Sequence, residues 1–178
     1  MIKKLLRKKS TVPSVSKDID KKQQRFDTMV RELHADLYRY AYWLCGSAAQ
    51  ADDLVQETFL RAWRALDSLK EQKAAKSWLI TILRRENARL YERYTPEFVE
   101  LEDNSSQVDA EHNTEQYALR HAIKQLESDY REPLVLQIVG GFSGEEIAGI
   151  LNLNVNTVST RLFRARNKLK KIVHDDDT

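Results

Sequence analysis

The sequence predicts an all-α protein made of two small helical domains. Apolar residues recur at spacings of three and four along most of the 178-residue chain, and no stretch alternates as a half-buried strand would. Only five glycines and three prolines are available to form turns. Seven acidic residues and no lysine or arginine lie between Thr95 and Glu115. This break in the helical pattern predicts an acidic, flexible linker between the domains.

The charge pattern divides the chain into five segments. They are a basic flexible tail (1–24), an N-terminal domain (25–95), the acidic linker (96–113), a C-terminal domain (114–174) and an acidic tail (175–178). Lysine and arginine outnumber aspartate and glutamate by only 29 to 27. The net charge of +2 therefore conceals strong local segregation of charge.

The composition gives no sign of catalysis. Cys45 is the single cysteine, the four histidines are scattered, and no phosphate-binding loop or nucleophile–base pair stands at motif spacing. We therefore expect no enzyme activity, no metal and no cofactor. The basic N-terminus lacks the apolar stretch of a signal peptide, and no run of about 18 apolar residues could span a bilayer. No membrane insertion and a cytoplasmic location are the corresponding expectations.

The N-terminal domain is predicted to contain three helices, over residues 26–44, 48–66 and 77–94, with Gly46 and Ser47 between the first two. The second helix carries a column of acidic, amide and aromatic side chains beside its buried arc. The column consists of Asp52, Gln56, Phe59 and Trp63. Aromatic rings in line with polar groups are typical of a protein-contact surface. Periodicity alone equally allows the two rings to cover the edge of the core. Leu60, which lies among charged residues, also suggests a surface that a partner covers.

The third helix combines an aromatic ring with a basic stripe. These residues are Trp78, Arg84, Arg85 and Arg89. Cations that neutralise phosphate, next to a ring on which a base can stack, suit single-stranded nucleic acid. Trp78 is at least as compatible with a place in the core.

The C-terminal domain is predicted to contain helices over residues 114–126 and 129–139, followed by two helices joined by a tight turn. Asp129 and Glu132 resemble a capping box at the start of one helix. Ser143 and Glu146 resemble another. Asn152 suits the left-handed conformation of the turn, and Asn154 suits the N-cap of the last helix. The pattern predicts a helix-turn-helix whose second helix enters a major groove.

That last helix separates apolar from polar residues. Its buried stripe is predicted to consist of Val158, Leu162, Ala165, Leu169 and Ile172. Six basic residues and no acidic one lie between Val155 and Val173. Short polar side chains near the start can reach base edges, and later cations can bind phosphate. An alternative is that the basic face belongs to an ordinary core helix and is merely solvated.

These motifs together resemble the extracytoplasmic-function (ECF) group of the sigma-70 family of bacterial RNA polymerase sigma factors. The most specific matches are A-D-D-L-V-Q-E-T-F-L-R-A-W (51–63) and F-S-G-E-E-I-A-G-I-L-N-L-N-V-N-T-V-S-T-R-L-F-R-A-R-N-K-L (142–169). With weaker matches near residues 26–41 and 76–89, the resemblance covers nearly the whole chain. It implies a subunit that binds core RNA polymerase and recognises the −35 and −10 promoter elements. The two domains would be sigma regions 2 and 4.

The resemblance also implies roles for individual residues. Docking on the clamp helices of the largest polymerase subunit would fall to Asp52, Asp53, Gln56, Glu57, Phe59 and Trp63. Contact with the opened −10 element would fall to Trp78, Arg84, Arg85 and Arg89. Reading of the −35 duplex would fall to Asn156, Thr157, Ser159, Thr160, Arg161, Phe163, Arg164, Lys168 and Lys171. Members of the family are often held inactive by an anti-sigma factor, so such a protein is a candidate partner.

Two departures and one competing hypothesis accompany this interpretation. Relatives often carry asparagine seven residues after the tryptophan, where this chain has Arg85, and glycine where it has Asn152 and Asn156. The competing hypothesis is a stand-alone helix-turn-helix regulator that binds duplex operators. Such a regulator would need neither the column around Trp63 nor the acidic linker.

Overall fold

The computed structural model describes residues 12–94 and 114–176, and every regular element within them is helical. This confirms the all-α prediction. Two short 3-10 turns, Leu66–Ser68 and Gln72–Ala74, connect the second and third helices. The helices are α1 (Val12–Cys45), α2 (Ala48–Ala65), α3 (Ala75–Tyr94), α4 (Thr114–Lys124), α5 (Ser128–Ile138), α6 (Gly144–Leu151) and α7 (Val155–Asp176). The predicted linker (96–113) lies outside the described residues.

The first and last helices extend into the segments that were predicted to be flexible tails. Helix α1 begins at Val12, so the prediction of a flexible tail is wrong from that residue onward. The extension is held by contacts with the segment after α2: Lys22 Nζ lies 2.8 Å from an Asp67 carboxylate oxygen, and the Arg25 guanidinium donates to the Leu69 carbonyl. At the other end α7 runs to Asp176 and so includes the first two residues of the predicted acidic tail.

The N-terminal half is a bundle of α1, α2 and α3. Its interior is filled by aliphatic side chains at helical spacing, with Leu37, Leu54, Leu79 and Leu83 fully buried. Thr58 is the buried polar exception on α2, and its hydroxyl donates to the Leu54 carbonyl one turn earlier. Burial of this apolar surface is the main source of stability for the bundle.

The C-terminal half is built around α7. Val158 and Ala165 are fully buried against α5 and α6, where Leu136 and Ile147 are also buried. The predicted capping box at Asp129 and Glu132 is wrong, because the N-cap of α5 is Glu127 and no side chain caps it. The carboxylates of Asp129 and Glu132 bind arginines elsewhere in the structure instead.

The two halves are in direct contact. The Arg84 guanidinium on α3 donates to a Glu132 carboxylate oxygen on α5 (Nε to Oε1, 2.9 Å) and to the Ile150 carbonyl (3.1 Å). Arg120 on α4 donates to the carbonyls of Tyr42 and Trp43 at the end of α1, at 2.8 and 3.1 Å. Buried residues of both halves form one hydrophobic cluster. Glu132 of α5 and the end of α6 therefore lie against α3, and α4 lies against the end of α1.

Tyr40 lies beneath this contact and is only 1% exposed. Burial raises the pKa of the Tyr40 hydroxyl far above its ordinary value of 10.0; the Arg84 cation opposes this shift, and the Glu132 carboxylate adds to it. The folded protein therefore keeps a proton that the unfolded chain loses above about pH 10. The contribution of the protonated Tyr40 hydroxyl to the free energy of unfolding is complete below that pH. It is lost as the pH rises through the pKa that Tyr40 has in the folded protein.

We expect Tyr40→Phe to reduce the loss of stability at alkaline pH. Between pH 10 and 11 the wild-type free energy of unfolding should fall more steeply than that of the variant, by up to about 1.4 kcal/mol per pH unit. Urea unfolding at several pH values measures both slopes. Tyr38→Phe, at a half-buried ring on the same helix, controls for the loss of one phenol. Equal slopes for the wild type and Tyr40→Phe would contradict the assignment.

Candidate nucleic-acid interface and protein-contact surface

The α6–α7 unit has the local geometry that the sequence predicted. The Ser143 amide donates to the Glu146 carboxylate (2.8 Å), and the Glu146 amide donates to the Ser143 hydroxyl (3.2 Å), which completes the capping box. Asn152 adopts a left-handed conformation with φ 54° and ψ 47°. The Asn154 side-chain oxygen accepts from the Thr157 amide at 2.7 Å, as an N-cap does. These contacts set the angle at which α7 leaves the turn.

The exposed face of α7 holds most of the residues assigned to duplex reading. Those that are exposed are Asn156, Ser159, Thr160, Phe163, Arg164 and Lys171, whereas Thr157 is half-buried. Phe163 is 64% exposed, an unusual position for a phenylalanine unless a ligand or partner covers it. Short polar groups occupy the first two turns, and cations follow. This order suits base edges first and phosphate later.

Two of the predicted DNA-binding cations turn toward α5 instead. Arg161 Nη2 lies 3.2 Å from an Asp129 carboxylate oxygen, and Lys168 Nζ lies 2.6 Å from a Glu127 carboxylate oxygen. Lys168 also lies 4.5 Å from the centre of the Tyr130 ring. The helical period alone placed these cations on the polar side of α7. Their acidic partners are 32 and 41 residues away in the sequence, so no local pattern could reveal them.

The exposed face of α7 also includes residues that were not predicted to belong to the site. Asn167 and Lys170 are both exposed. Lys170 follows Phe163 by seven residues, about two helical turns, and so lies near it on the same face. The seven-residue spacing from Phe163 was the sequence signal by which Lys170 could have been predicted. In contrast, Arg166 donates to the Gln137 side chain at 2.5 Å and belongs to the contact with α5.

The column on α2 is divided between exposed polar residues and half-buried rings. Asp52, Asp53 and Gln56 are exposed, and Glu57 accepts from Arg61 one turn later at 2.8 Å. The rings of Phe59 and Trp63 pack edge-on against Phe26 of α1, with centroids 6.1 and 5.1 Å away. Lys22 covers the Trp63 ring at 5.4 Å. Both rings thus cover the edge of the core, as the alternative interpretation allowed.

Leu60 is a large apolar residue that α2 presents to solvent. It is 54% exposed, and its neighbours one turn before and after are Gln56, Glu57, Arg64 and the half-buried Trp63. An exposed leucine beside an aromatic ring, with polar residues around it, has the anatomy of a small interface core. The sequence contained this signal, but the predicted contact residues omitted Leu60.

A ladder of rings on α1 extends this surface. His34 stacks between Phe59 and Tyr38, with centroids 6.1 and 6.4 Å away and planes within 9° of parallel, and Tyr38 continues to Tyr42. An open groove of about 580 Å³ runs beside the ladder and reaches Asp52. This groove could not be predicted from the sequence, because its walls come from two helices.

The residues assigned to the −10 element do not form one free basic surface. Trp78 is half-buried and lines a cleft of about 470 Å³ whose opposite wall includes Glu146 and Ile150 of α6. Arg84 is bound by Glu132 and the Ile150 carbonyl, as described above. Arg89 donates to the buried Glu86 carboxylate at 2.7 Å. Arg85 is exposed.

Within residues 12–94 and 114–176, no helix is long and apolar enough to cross a membrane. The same residues contain no group of three or more histidine, cysteine, aspartate or glutamate side chains that could hold a metal ion.

Comparison with known proteins agrees with this arrangement. Residues 29–97 match the family Sigma-70 region 2, and residues 116–169 match the family Sigma-70, region 4. The ECF RNA polymerase sigma factor EcfG of Rhodopseudomonas palustris is 38% identical over 146 residues, covering 79% of this chain and 80% of that protein. The ECF RNA polymerase sigma factor SigL of Mycobacterium tuberculosis is 32% identical over 149 residues, covering 78% and 83%.

Two solved structures share the fold. The sigma factor RpoE of Bartonella quintana, in complex with the anti-sigma factor NepR, has a TM-score of 0.63 and 29% identity, covering 81% of this chain and 95% of that one. CnrH, in complex with the cytosolic domain of CnrY, has a TM-score of 0.67 and 27% identity, covering 86% and 90%.

The helix-turn-helix, the exposed α2 surface and the two matched regions define a transcription initiation factor of the sigma-70 family. Within that family, the identity to EcfG and SigL shows that the chain belongs to the ECF group of RNA polymerase sigma factors. It is a promoter-specificity subunit of RNA polymerase.

Proposed function

We propose that this chain performs its role through two separate surfaces. The exposed face of α7 reads the −35 element as duplex, and the exposed face of α2 binds core polymerase. The observation that carries the proposal is the capped α6–α7 unit, which presents short polar side chains and then exposed cations on one face. Arg164 is the residue best suited to grip a guanine through two hydrogen bonds, because it is exposed and follows the polar first turns.

The α2 surface supports docking on the clamp helices of the largest polymerase subunit. Asp52, Asp53 and Gln56 offer acidic and amide groups, and Leu60 offers an apolar centre. An apolar centre with a polar rim is the usual anatomy of a protein interface. Phe59 and Trp63 support this surface from beneath, through their packing on Phe26.

Contact with the −10 element involves α3 and requires a change in the arrangement of the halves. Trp78 faces α6 across a cleft, and Arg84 is bound by Glu132 of α5. Opened DNA can reach these two residues only after α3 separates from α5 and α6. Arg85 needs no such change, since its side chain is already exposed.

The proposed role requires no catalysis by the chain itself and places it in the cytoplasm, with the polymerase and the promoter. An anti-sigma factor is a further proposed partner. The support is that RpoE of Bartonella quintana and CnrH, which share the fold, were solved with an anti-sigma factor and with the cytosolic domain of CnrY, respectively.

Run-off transcription with core RNA polymerase on a library of promoters tests the proposal. We expect transcripts only when the chain is added, from templates that share −35 and −10 elements. Co-elution of the chain with core polymerase is the accompanying measurement. Binding to duplex DNA with no co-elution and no transcript would instead indicate a stand-alone regulator.

A further inference from the structure

Two acidic residues at the start of α5 form ion pairs with two cations of α7. Glu127 and Asp129 lie 2.6 and 3.2 Å from the charged groups of Lys168 and Arg161. Tyr130, on the same turn of α5, supports Lys168 through its ring at 4.5 Å. We propose that Glu127 and Asp129 are specificity-determining residues, which withhold two cations of the reading helix from DNA phosphate. This inference rests on the proposed function, since it takes α7 as the helix that reads the duplex.

The physical argument starts from the sequence-independent part of DNA binding. Each cation that neutralises a phosphate raises affinity for any duplex and steepens the salt dependence by about 0.9 in log–log slope. Arg161 and Lys168 can reach phosphate only by exchanging one anionic partner for another. They therefore add little to binding of arbitrary DNA. Arg164 and Lys171 make no ion pair within the described residues, so they meet DNA without such an exchange.

The exposure of the carboxylates argues against a purely structural role. The side chains of Glu127 and Asp129 are 66% and 67% exposed, and exposed ion pairs contribute little to folding stability. These ion pairs do determine where the two cations point: Arg161 and Lys168 lie against α5 instead of facing outward with Arg164. The discrimination between promoter and other DNA then depends on the remaining face of α7, where the base-reading groups lie.

The test removes both carboxylates and measures DNA binding by the reconstituted holoenzyme. Glu127→Gln with Asp129→Asn is compared with the wild type on duplexes carrying a matched or a scrambled −35 element, across a salt series. We expect affinity for the scrambled duplex to rise about tenfold and affinity for the matched duplex to rise less. The ratio of the matched to the scrambled affinity should fall about threefold. The log–log slope of affinity against salt concentration should steepen by up to about 2.

Two controls separate this mechanism from a general gain of positive charge. Glu32→Gln with Asp20→Asn makes the same change in net charge at exposed carboxylates of α1 that form no ion pair in the described part of the chain. It should leave the ratio unchanged. In a background of Arg161→Gln with Lys168→Gln, removing the two α5 carboxylates should no longer raise affinity for the scrambled duplex, because no cation is released.

The inference would be overturned if the carboxylate variant kept the wild-type ratio of matched to scrambled affinity. It would also be overturned if affinity for the scrambled duplex rose equally in the background without the two cations. Either result would leave the proposed function standing. A wild-type holoenzyme that does not distinguish the matched from the scrambled duplex would overturn the proposed function and this inference with it.

Discussion

Replacing Leu60 by glutamate is expected to abolish stable binding to core RNA polymerase while the chain remains folded. Leu60 is 54% exposed at the centre of the α2 surface, so a charge there does not disturb the bundle core. A central apolar anchor of an interface typically contributes about 2 kcal/mol or more, which corresponds to at least about a thirtyfold loss of affinity. A pull-down with core polymerase and circular dichroism of the free chain measure the two properties.

Trp63→Ala is the informative comparison for that experiment. The Trp63 ring packs on Phe26 at 5.1 Å and lies beneath Lys22, so its removal leaves a gap between α1 and α2. We expect a loss of about 2 kcal/mol in the free energy of unfolding, and a smaller loss of polymerase binding than Leu60→Glu causes. Normal polymerase binding by folded Leu60→Glu would place the docking surface elsewhere.

Replacing Arg164 by alanine is expected to reduce transcription from cognate promoters by about 5- to 150-fold. The loss corresponds to the roughly 1–3 kcal/mol of discrimination that one bidentate contact to guanine supplies. Templates with a scrambled −35 element should lose much less, because a contact to a base edge matters only where the right base is present. Transcription assays with reconstituted holoenzyme on both templates measure the difference.

Arg161→Ala provides the matched control for Arg164→Ala. Arg161 lies on the same helix only three residues earlier, but its guanidinium is bound to Asp129. Its removal should therefore cost less transcription from the cognate promoter. If Arg164→Ala instead lost the same factor on matched and scrambled templates, Arg164 would be a phosphate contact and a different residue of α7 would read the base.

Local features of the C-terminal half could be predicted because the interactions span three or four residues. The capping box of Ser143 and Glu146, the left-handed Asn152 and the Asn154 cap all depend on groups adjacent in sequence. The buried stripe of α7 follows from the helical period in the same way, and Val158 and Ala165 are fully buried as expected. The start of α1 could not be predicted in this way, because Lys22 and Arg25 near its beginning contact the segment after α2, which is distant in the sequence.

The sequence by itself determined the helical class and the helix-turn-helix, and it predicted the residues that could contact DNA or polymerase. Only the tertiary structure decided which of them are free to do so. Arg84, Arg161 and Lys168 bind carboxylates of α5, whereas Arg85 and Arg164 remain exposed. The physical reason is that helical periodicity fixes the face on which a side chain lies, but a long charged side chain pairs with whichever opposite charge the packing of distant helices brings within reach.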